Sequence, residues 1–268
     1  MLGKGLMIVS VILLTVGVVR AEVRTRTVTY TYGGVTFQGH LAWNDAVQGK
    51  RPGVLVVHEF WGLNDYARKR AEQLARLGYV AFAADMYGGA KHTEHPQDAA
   101  RMAGEVRKNT AVWQGRARAA LKVLADDEHV DPTKLAAIGY CFGGSTALEL
   151  AYSGADLKAV ATFHAALPIP TEEQARAIKG QVLINHGAAD AFIPEETCQK
   201  FRAVLGAAKV PYEFIYYGGA VHSFTVPGSE NVGNKNMAYN ARADRRSWQS
   251  MLDLFKDAFG ERRRGSRS

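Results

Sequence analysis

The chain has 268 residues, of which 47% are hydrophobic, 10% aromatic and 22% charged. This composition excludes a disordered protein, and a chain of this length can bury a core without a metal or a disulfide. Its two cysteines, Cys141 and Cys198, are too few for a disulfide scaffold or a four-cysteine zinc site. The formal net charge is +7, but residues 22–259 carry only +2 of it and show no basic stripe interleaved with aromatic residues. The sequence therefore does not favour a nucleic-acid partner.

Residues 1–21 have the pattern of an export signal. Lys4 supplies a positive charge, residues 6–19 form an apolar run, and Val19 and Ala21 are the small residues of a cleavage site. The run is shorter than the roughly 20 residues that a membrane-spanning helix needs. We therefore expect cleavage after Ala21 and an exported protein, periplasmic or secreted, that has no membrane contact after cleavage. The alternative is that residues 6–19 remain as a membrane anchor.

The elements predicted after this signal begin with a β-hairpin. Residues 25–32 and 35–43 alternate in part and are joined by Gly33-Gly34, which is a hairpin signal. Apolar runs bounded by turn residues then predict strands over residues 54–57, 79–84, 134–139, 159–163, 182–186 and 212–217. Helical patterns lie between them, over residues 64–77, 99–125 (with Gly104 and Gly115 as candidate breaks), 142–152, 195–208 and 236–259.

Strands that alternate with helices after an opening hairpin predict an α/β fold. The expected sheet is mostly parallel and carries helices on both faces. The sequence contains no internal repeat or low-complexity linker after residue 22. We expect one domain over residues 22–260, followed by a basic disordered tail over residues 261–268.

The segment from Gly139 to Gly144 predicts a nucleophile. An apolar strand runs into Gly-Tyr-Cys-Phe-Gly-Gly and a helix follows, which is the pattern of a nucleophile elbow with cysteine in place of serine. Such a turn needs glycines because side chains there would collide with backbone. The elbow would expose Cys141 at a helix N-terminus, where the dipole favours a thiolate. The alternative is a buried structural cysteine, which the strand–elbow–helix context disfavours.

An acid and a histidine follow Cys141 in the chain, which is the order nucleophile, acid, histidine that accompanies a nucleophile elbow. Asp190 lies in the loop after the strand predicted over residues 182–186, and His222 lies in a glycine-rich loop after the last strand. Taken alone, Asp190 could be a turn aspartate and His222 a surface histidine. Cys198 lies inside a predicted helix, where we expect it to be inert.

The remaining histidines give weaker evidence for a functional role. His58, His164 and His186 lie at strand ends, where a histidine either lines a pocket or packs in the core. His92 and His95 flank Glu94 but have no further ligands nearby, so we expect no metal site there.

Taken together, these motifs resemble the dienelactone hydrolase family, cysteine hydrolases with the α/β-hydrolase fold, over roughly residues 25–260. The resemblance is carried by Gly139-Tyr140-Cys141-Phe142-Gly143-Gly144, His222-Ser223-Phe224, the segment from Val56 to Gly62, and Asp85-Met86-Tyr87. It implies that Cys141 is the nucleophile, His222 the base and Asp190 its partner. It also implies that Glu59 helps to activate the thiol and that the backbone amides of Phe60 and Phe142 form an oxyanion hole. Glu59 alone could also be a surface acid at a strand end.

The sequence departs from this family at the two arginines that hold the substrate carboxylate. Gly88-Gly89-Ala90-Lys91 follows Tyr87 where the first arginine is expected, and Val226 stands four residues after His222 in place of the second. A lysine does not reproduce the bidentate contact of an arginine. We therefore expect a preference for neutral esters or lactones.

The sequence thus predicts an exported cysteine hydrolase that cleaves an ester or lactone through a thioester. We expect a small-molecule substrate, no cofactor, no metal and a monomer. The alternatives are a catalytically silent binding module with the same fold, or a membrane-tethered partner protein whose basic tail contacts acidic lipid or protein.

Overall fold

The computed structural model describes residues 22–260. The predicted signal peptide and the basic tail lie outside these residues. No helix within the described range is both long enough and apolar enough to cross a membrane.

One eight-stranded sheet organises the structure. Its strands are β1 (Val23–Tyr32), β2 (Val35–Asn44), β3 (Arg51–Val57), β4 (Val80–Ala84), β5 (Val130–Tyr140), β6 (Ala159–Phe163), β7 (Gln181–Gly187) and β8 (Tyr212–Tyr217), in the spatial order β1-β2-β4-β3-β5-β6-β7-β8. Strands β1 and β2 form an antiparallel hairpin, and β2 pairs with β4 in antiparallel orientation. The other six strands, β3 to β8, are all parallel to one another. The expected α/β-hydrolase architecture, with its N-terminal hairpin and mostly parallel sheet, is confirmed.

Helices cover both faces of the sheet. They are α1 (Asp65–Arg76), α2 (Pro96–Arg107), α3 (Thr110–Ala125), α4 (Phe142–Tyr152), α5 (Glu172–Ala177), α6 (Glu195–Ala207) and α7 (Ala241–Phe259), with a 3₁₀ turn at Ser229–Val232. Leu74 of α1 and Phe255 of α7 pack with Val54 and Val56 on one face. Helices α3, α4 and α6 pack on the other face, around Leu55 and Val57. Because both faces of β3 are buried, residues 54–57 form a continuous apolar run, as predicted for a central strand.

The helix predicted over residues 99–125 is two helices. The chain breaks between α2 and α3, where the side chain of Asn109 caps α3 by accepting from the Val112 amide at 3.1 Å. Neither proposed glycine break is correct. Gly104 lies inside α2 and Gly115 lies inside α3. The ring of Tyr32 fills the space that a side chain at position 115 would occupy, which explains the glycine there.

The last helix begins five residues later than predicted, at Ala241, with Asn240 as its cap. Residues 236–238 instead run beside the loop that carries His222. The His222 amide donates to the Asn236 carbonyl at 3.1 Å, and the His222 carbonyl accepts from the Ala238 amide at 3.2 Å. The helical pattern over residues 236–240 was therefore misleading, since these residues hold a loop at the edge of the candidate site.

Candidate active site

The elbow at Cys141 has the geometry that its glycines predict. Cys141 joins β5 to α4 with φ 51° and ψ −115°, a strained backbone for a residue other than glycine. A side chain at Gly139 would collide with the backbone of Gly143, and one at Gly143 would collide with the carbonyls of Val57 and His58. The turn is therefore packed directly against the end of β3. Cys141 itself is partly exposed, as a nucleophile that meets substrate must be.

His222 and Asp190 meet although 32 residues separate them. Nδ1 of His222 lies 2.8 Å from Oδ2 of Asp190, and Oδ1 of Asp190 accepts from the Phe192 amide at 3.0 Å. Two loops make this possible, since the Ala189 amide donates to the Ala220 carbonyl at 2.9 Å. Gly187 allows the approach because a side chain there would meet the backbone of residues 220–221. Both functional side chains are nearly fully buried.

The surroundings of His222 favour its charged form. Burial lowers the pKa of the ring, but the Cys141 sulfur, which hydrogen-bonds to it, and the Asp190 carboxylate raise that pKa to about 10. The arrangement brings Cys141, His222 and Asp190 into one line of contacts.

Glu59 follows the carboxyl end of β3 and lies close to His222 and Ser223. Its Oε1 accepts from the Ser223 hydroxyl at 3.1 Å, and the side chain is 4% exposed. Burial raises the pKa of Glu59 to about 6, while the charge of His222 and the Ser223 hydrogen bond lower it. The reading of Glu59 as a surface acid is therefore wrong. The hydrogen bond from Ser223 to Glu59 was not predicted from the sequence, although the position of Ser223 next to His222 indicated that it would lie near the site.

Two backbone amides have the positions expected of an oxyanion hole. Phe142 is the first residue of α4, so its amide has no carbonyl to bond within the helix. The second amide, of Phe60, belongs to the peptide whose carbonyl is that of Glu59. That carbonyl lies 2.5 Å from Nδ1 of His58 and accepts from the Gly62 amide at 3.2 Å.

His58 therefore fixes the orientation of this peptide. Its Nε2 accepts from the Met86 amide at 3.2 Å, so Nδ1 carries the proton and donates to the Glu59 carbonyl. Because burial lowers the pKa of His58 to about 4, the ring stays neutral in this role. In a planar trans peptide the N–H points opposite to the C=O, so the Phe60 amide points away from His58.

Two cavities lie beside the candidate site, one next to Glu59 and Ser223 and one next to Phe192. The larger, of about 500 Å³, is lined by residues that include Glu59, Trp61, Glu94, Ser223 and Val226. The smaller, of about 280 Å³, is mostly apolar and includes Arg107, Trp113, Ser145, Leu167, Phe192 and Ile193. The Phe192 ring packs edge-on against His222 with centroids 5.2 Å apart, which connects this second cavity to the proposed base.

Neither cavity has a cation at the position of a family arginine. Val226 lines the larger cavity as an apolar residue, and no lysine, arginine or histidine among residues 22–260 joins it there. Lys91 and Arg242 are exposed and line neither cavity. Arg107, which no sequence motif indicated, lines the smaller cavity from the end of α2, with its guanidinium 5.2 Å from the centre of the Phe142 ring.

The remaining candidates take other positions. Cys198 is fully buried in α6, with its sulfur 3.7 Å from Nε2 of His186, away from Cys141. Burial raises the pKa of the Cys198 thiol, which makes it a poor nucleophile. Among residues 22–260, no three histidine, cysteine, aspartate or glutamate side chains are placed to hold a metal ion.

Comparison with known proteins gives a consistent result. The sequence model described as "Dienelactone hydrolase family" matches residues 37–259. A Synechocystis protein, provisionally named a carboxymethylenebutenolidase, is 27% identical over 252 residues, which are 88% of this chain and 97% of that protein.

Two solved structures are more similar. The structure named m3DLH is 42% identical with a TM-score of 0.86, and the match covers 88% of this chain and 98% of that one. A dienelactone hydrolase-like promiscuous phosphotriesterase from metagenomic libraries is 40% identical, also with a TM-score of 0.86, over 89% and 99% of the two chains.

Proposed function

Because the chain belongs to the dienelactone hydrolase family and is a hydrolase of ester or lactone bonds, we propose that it acts through a Cys141–His222–Asp190 triad and a thioester intermediate. The observation that carries the proposal is the continuous contact from the elbow cysteine through His222 to the buried carboxylate of Asp190. Asp190 holds the ring with Nδ1 protonated, which leaves Nε2 to exchange a proton with substrate.

Acylation begins with the Cys141 thiolate. The sulfur attacks the substrate carbonyl, a carbon–sulfur bond forms, and the carbonyl oxygen becomes an oxyanion. The amides of Phe60 and Phe142 donate to that oxyanion. The intermediate then collapses, the carbon–oxygen bond of the ester or lactone breaks, and the leaving oxygen takes the proton of the His222 imidazolium.

Deacylation returns the enzyme to its starting state. Neutral His222 takes a proton from water as the water oxygen attacks the thioester carbonyl, and a second oxyanion forms in the same hole. Its collapse breaks the carbon–sulfur bond and restores the thiolate beside the imidazolium. Glu59, buried next to His222, serves in this scheme as the base that takes the thiol proton whenever Cys141 is protonated.

The proposed substrate is a neutral ester or lactone with a good leaving group. The absence of a cation from the lining of the larger cavity supports neutrality there, since an unpaired charge entering a partly dry site is costly. An enol-lactone or aryl ester suits the mechanism because its leaving oxygen departs without strong protonation. We also propose export directed by residues 1–21 and action as a monomer.

The experiment that tests the mechanism uses a panel of aryl esters and lactones. Intact-protein mass spectrometry after rapid quenching is expected to show an acyl adduct on Cys141. Cys141→Ala is expected to lose about 10³-fold or more in ester hydrolysis, the scale of a whole triad. Cys198→Ala is the matched control and should retain activity. A folded Cys141→Ala enzyme with most of its activity would refute the triad, and no turnover by the native chain would favour a silent binding module.

Phosphotriester hydrolysis is a second candidate activity. It is favoured by the 40% identity to the promiscuous phosphotriesterase, and a neutral triester matches the cation-free larger cavity. The test is release of the aryl alcohol from an aryl dialkyl phosphate, with a phosphorylated Cys141 as the expected adduct. Turnover that survives Cys141→Ala would contradict this second proposal.

A further inference from the structure

His164 is a second histidine of the site that the triad does not use. It follows β6 with φ 40°, a left-handed backbone uncommon for histidine, and its side chain is fully buried. Its ring packs edge-on against His222 with centroids 5.2 Å apart. Nδ1 of His164 lies 3.8 Å from Oε1 of Glu59 and has no hydrogen-bond partner among the described residues.

The other ring nitrogen of His164 ends a chain of hydrogen bonds that begins at Arg70. Nε of Arg70 donates to the Tyr66 hydroxyl at 3.2 Å, because a guanidinium has no acceptor. The Tyr66 hydroxyl lies 2.7 Å from Oγ1 of Thr225, and that oxygen lies 2.8 Å from Nε2 of His164. Arg70 is itself held by Asp244, with Nη2 2.5 Å from Oδ1.

The direction of this chain follows from counting protons. The Tyr66 oxygen accepts from Arg70, and its own proton goes to Oγ1 of Thr225. That oxygen is closer, at 2.7 Å, than the Thr225 carbonyl at 3.2 Å, which already accepts from Nη2 of Arg70 at 2.9 Å. The fully buried Thr225 hydroxyl then has one proton left, and Nε2 of His164 is the acceptor within reach. Nε2 is thereby unprotonated, and the proton of the neutral ring must be on Nδ1, facing Glu59.

The opposite tautomer is less favourable at both ends. With the proton on Nε2, the Thr225 hydroxyl would have to donate to the Tyr66 oxygen. The Tyr66 proton would then go to the Thr225 carbonyl at 3.2 Å, an oxygen that already accepts from Nη2 of Arg70 at 2.9 Å. The lone pair of Nδ1 would then face the Glu59 carboxylate across 3.8 Å. A doubly protonated ring is also excluded, because burial and the neighbouring charges of His222 and Arg70 hold the pKa of His164 well below its usual range.

We propose that Arg70, Tyr66 and Thr225 form a directed hydrogen-bond chain that fixes the proton of His164 on Nδ1, and that this N–H positions and stabilises the ionised carboxylate of Glu59. The inference rests on the proposed function, in which Glu59 acts as a base. His164, Thr225, Tyr66 and Arg70 are positioning residues, since each acts through its neighbour and none is required to touch substrate.

The other groups around Glu59 do not replace this donor. Ser223 donates one hydrogen bond to Oε1, and His222 contributes charge but directs its Nδ1 to Asp190. The titratable groups that face Glu59 come from several elements. They are His164 from the end of β6, His222 from the loop after β8, Tyr140 from β5, Tyr66 from α1, and Glu94 across the cavity.

A pH profile separates this role from a merely structural one. Glu59 works when ionised, so activity is present above its pKa and is lost as pH falls through that value, near 6 in the native protein. Loss of a donor raises the pKa of a carboxylate and moves the acidic limb of kcat/KM to higher pH. A structural defect instead lowers kcat/KM at every pH and leaves the limb in place.

The experiment is the kcat/KM profile of Tyr66→Phe, which keeps the ring and removes the hydroxyl that directs the chain. The acidic limb is expected to move up by about half to one pH unit, with kcat/KM near native on the alkaline side of the limb. Tyr152→Phe is the matched control, since it removes another buried tyrosine hydroxyl, one that donates to the Pro168 carbonyl at 2.9 Å. It should leave the limb unchanged.

Two further variants complete the test. His164→Phe should move the limb in the same direction as Tyr66→Phe, and in a Glu59→Gln background Tyr66→Phe should cause no shift. An unchanged limb in Tyr66→Phe, or a uniform loss at all pH values, overturns the chain. If Cys141→Ala is inactive at the same time, only the chain is refuted. If Cys141→Ala is active, the proposed function itself fails.

Discussion

The charge of the substrate provides the sharpest test of how this site differs from the family pattern. The comparison is between a lactone that carries a free carboxylate and the methyl ester of the same lactone. In the larger cavity the carboxylate would meet Glu59 and Glu94, with Val226 where a family arginine is expected. We therefore expect the methyl ester to be the better substrate.

The size of the preference follows from the missing contact. A hydrogen bond to a charged group contributes about 1.5–3 kcal/mol, and a buried charge without a partner loses at least that. A difference of about 2 kcal/mol in transition-state free energy corresponds to roughly 30-fold in kcat/KM. Repulsion from an ionised Glu59 would increase the ratio as pH rises through about 6, the pKa of that carboxyl group.

The assay is kcat/KM for both compounds with the native enzyme and with two arginine variants. Arg107→Gln removes the cation at the edge of the smaller cavity. Arg101→Gln is the matched control, because Arg101 is an exposed arginine of the same helix that pairs with Asp98 and lines neither cavity. Under the expected preference, both variants behave as the native enzyme does.

A clear preference for the free acid would refute the reasoning. If Arg107→Gln then abolished that preference and Arg101→Gln did not, the carboxylate is bound in the smaller cavity by an arginine from α2. If neither variant changed it, an anion site exists that the two cavities do not account for.

Three further predictions concern the catalytic groups and the leader. Asp190→Asn should lose about 10²–10⁴-fold in kcat and move the alkaline limb of kcat/KM down from about pH 10, because Asp190 helps to raise the pKa of His222; an unchanged limb would contradict this. His58→Leu should lower kcat by about 10²-fold with little change in KM, whereas His58→Gln, which can still donate and accept, should retain most activity; equal losses in the two variants would show that His58 does not orient the Phe60 amide. N-terminal sequencing of the protein from its producing cell should begin at Glu22; an intact Met1 on a membrane-bound protein would favour the anchor.

The fold could be predicted from the sequence because its signals are local. Each central strand is an apolar run between turn residues, and the nucleophile elbow is a contiguous pattern of glycines around Cys141. All eight strands were anticipated for this reason. The helix boundaries were less accurate, since the cap at Asn109 outweighs the helix-breaking tendency of Gly104 and Gly115.

The contacts of the candidate site could be predicted only in part. Cys141, Asp190 and His222 each follow a strand, and their order fits one fold, so they could be named in advance. Ser223 and Thr225 could not be assigned roles, because hydrogen-bond partners such as Ser223 and Glu59 lie 164 residues apart. The same holds for Thr225 and Tyr66, which are 159 residues apart. Partners at such separations are set by the tertiary fold.

The end of β3 explains why the site depends on packing as much as on its catalytic side chains. Gly143 lies against the carbonyls of Val57 and His58, so the elbow and the strand end must move together. Glu59 and the Phe60 amide are consecutive in that strand end, and His58 fixes the peptide between them. A shift of the elbow would therefore change the positions of Cys141, of Glu59 and of the Phe60 amide at once.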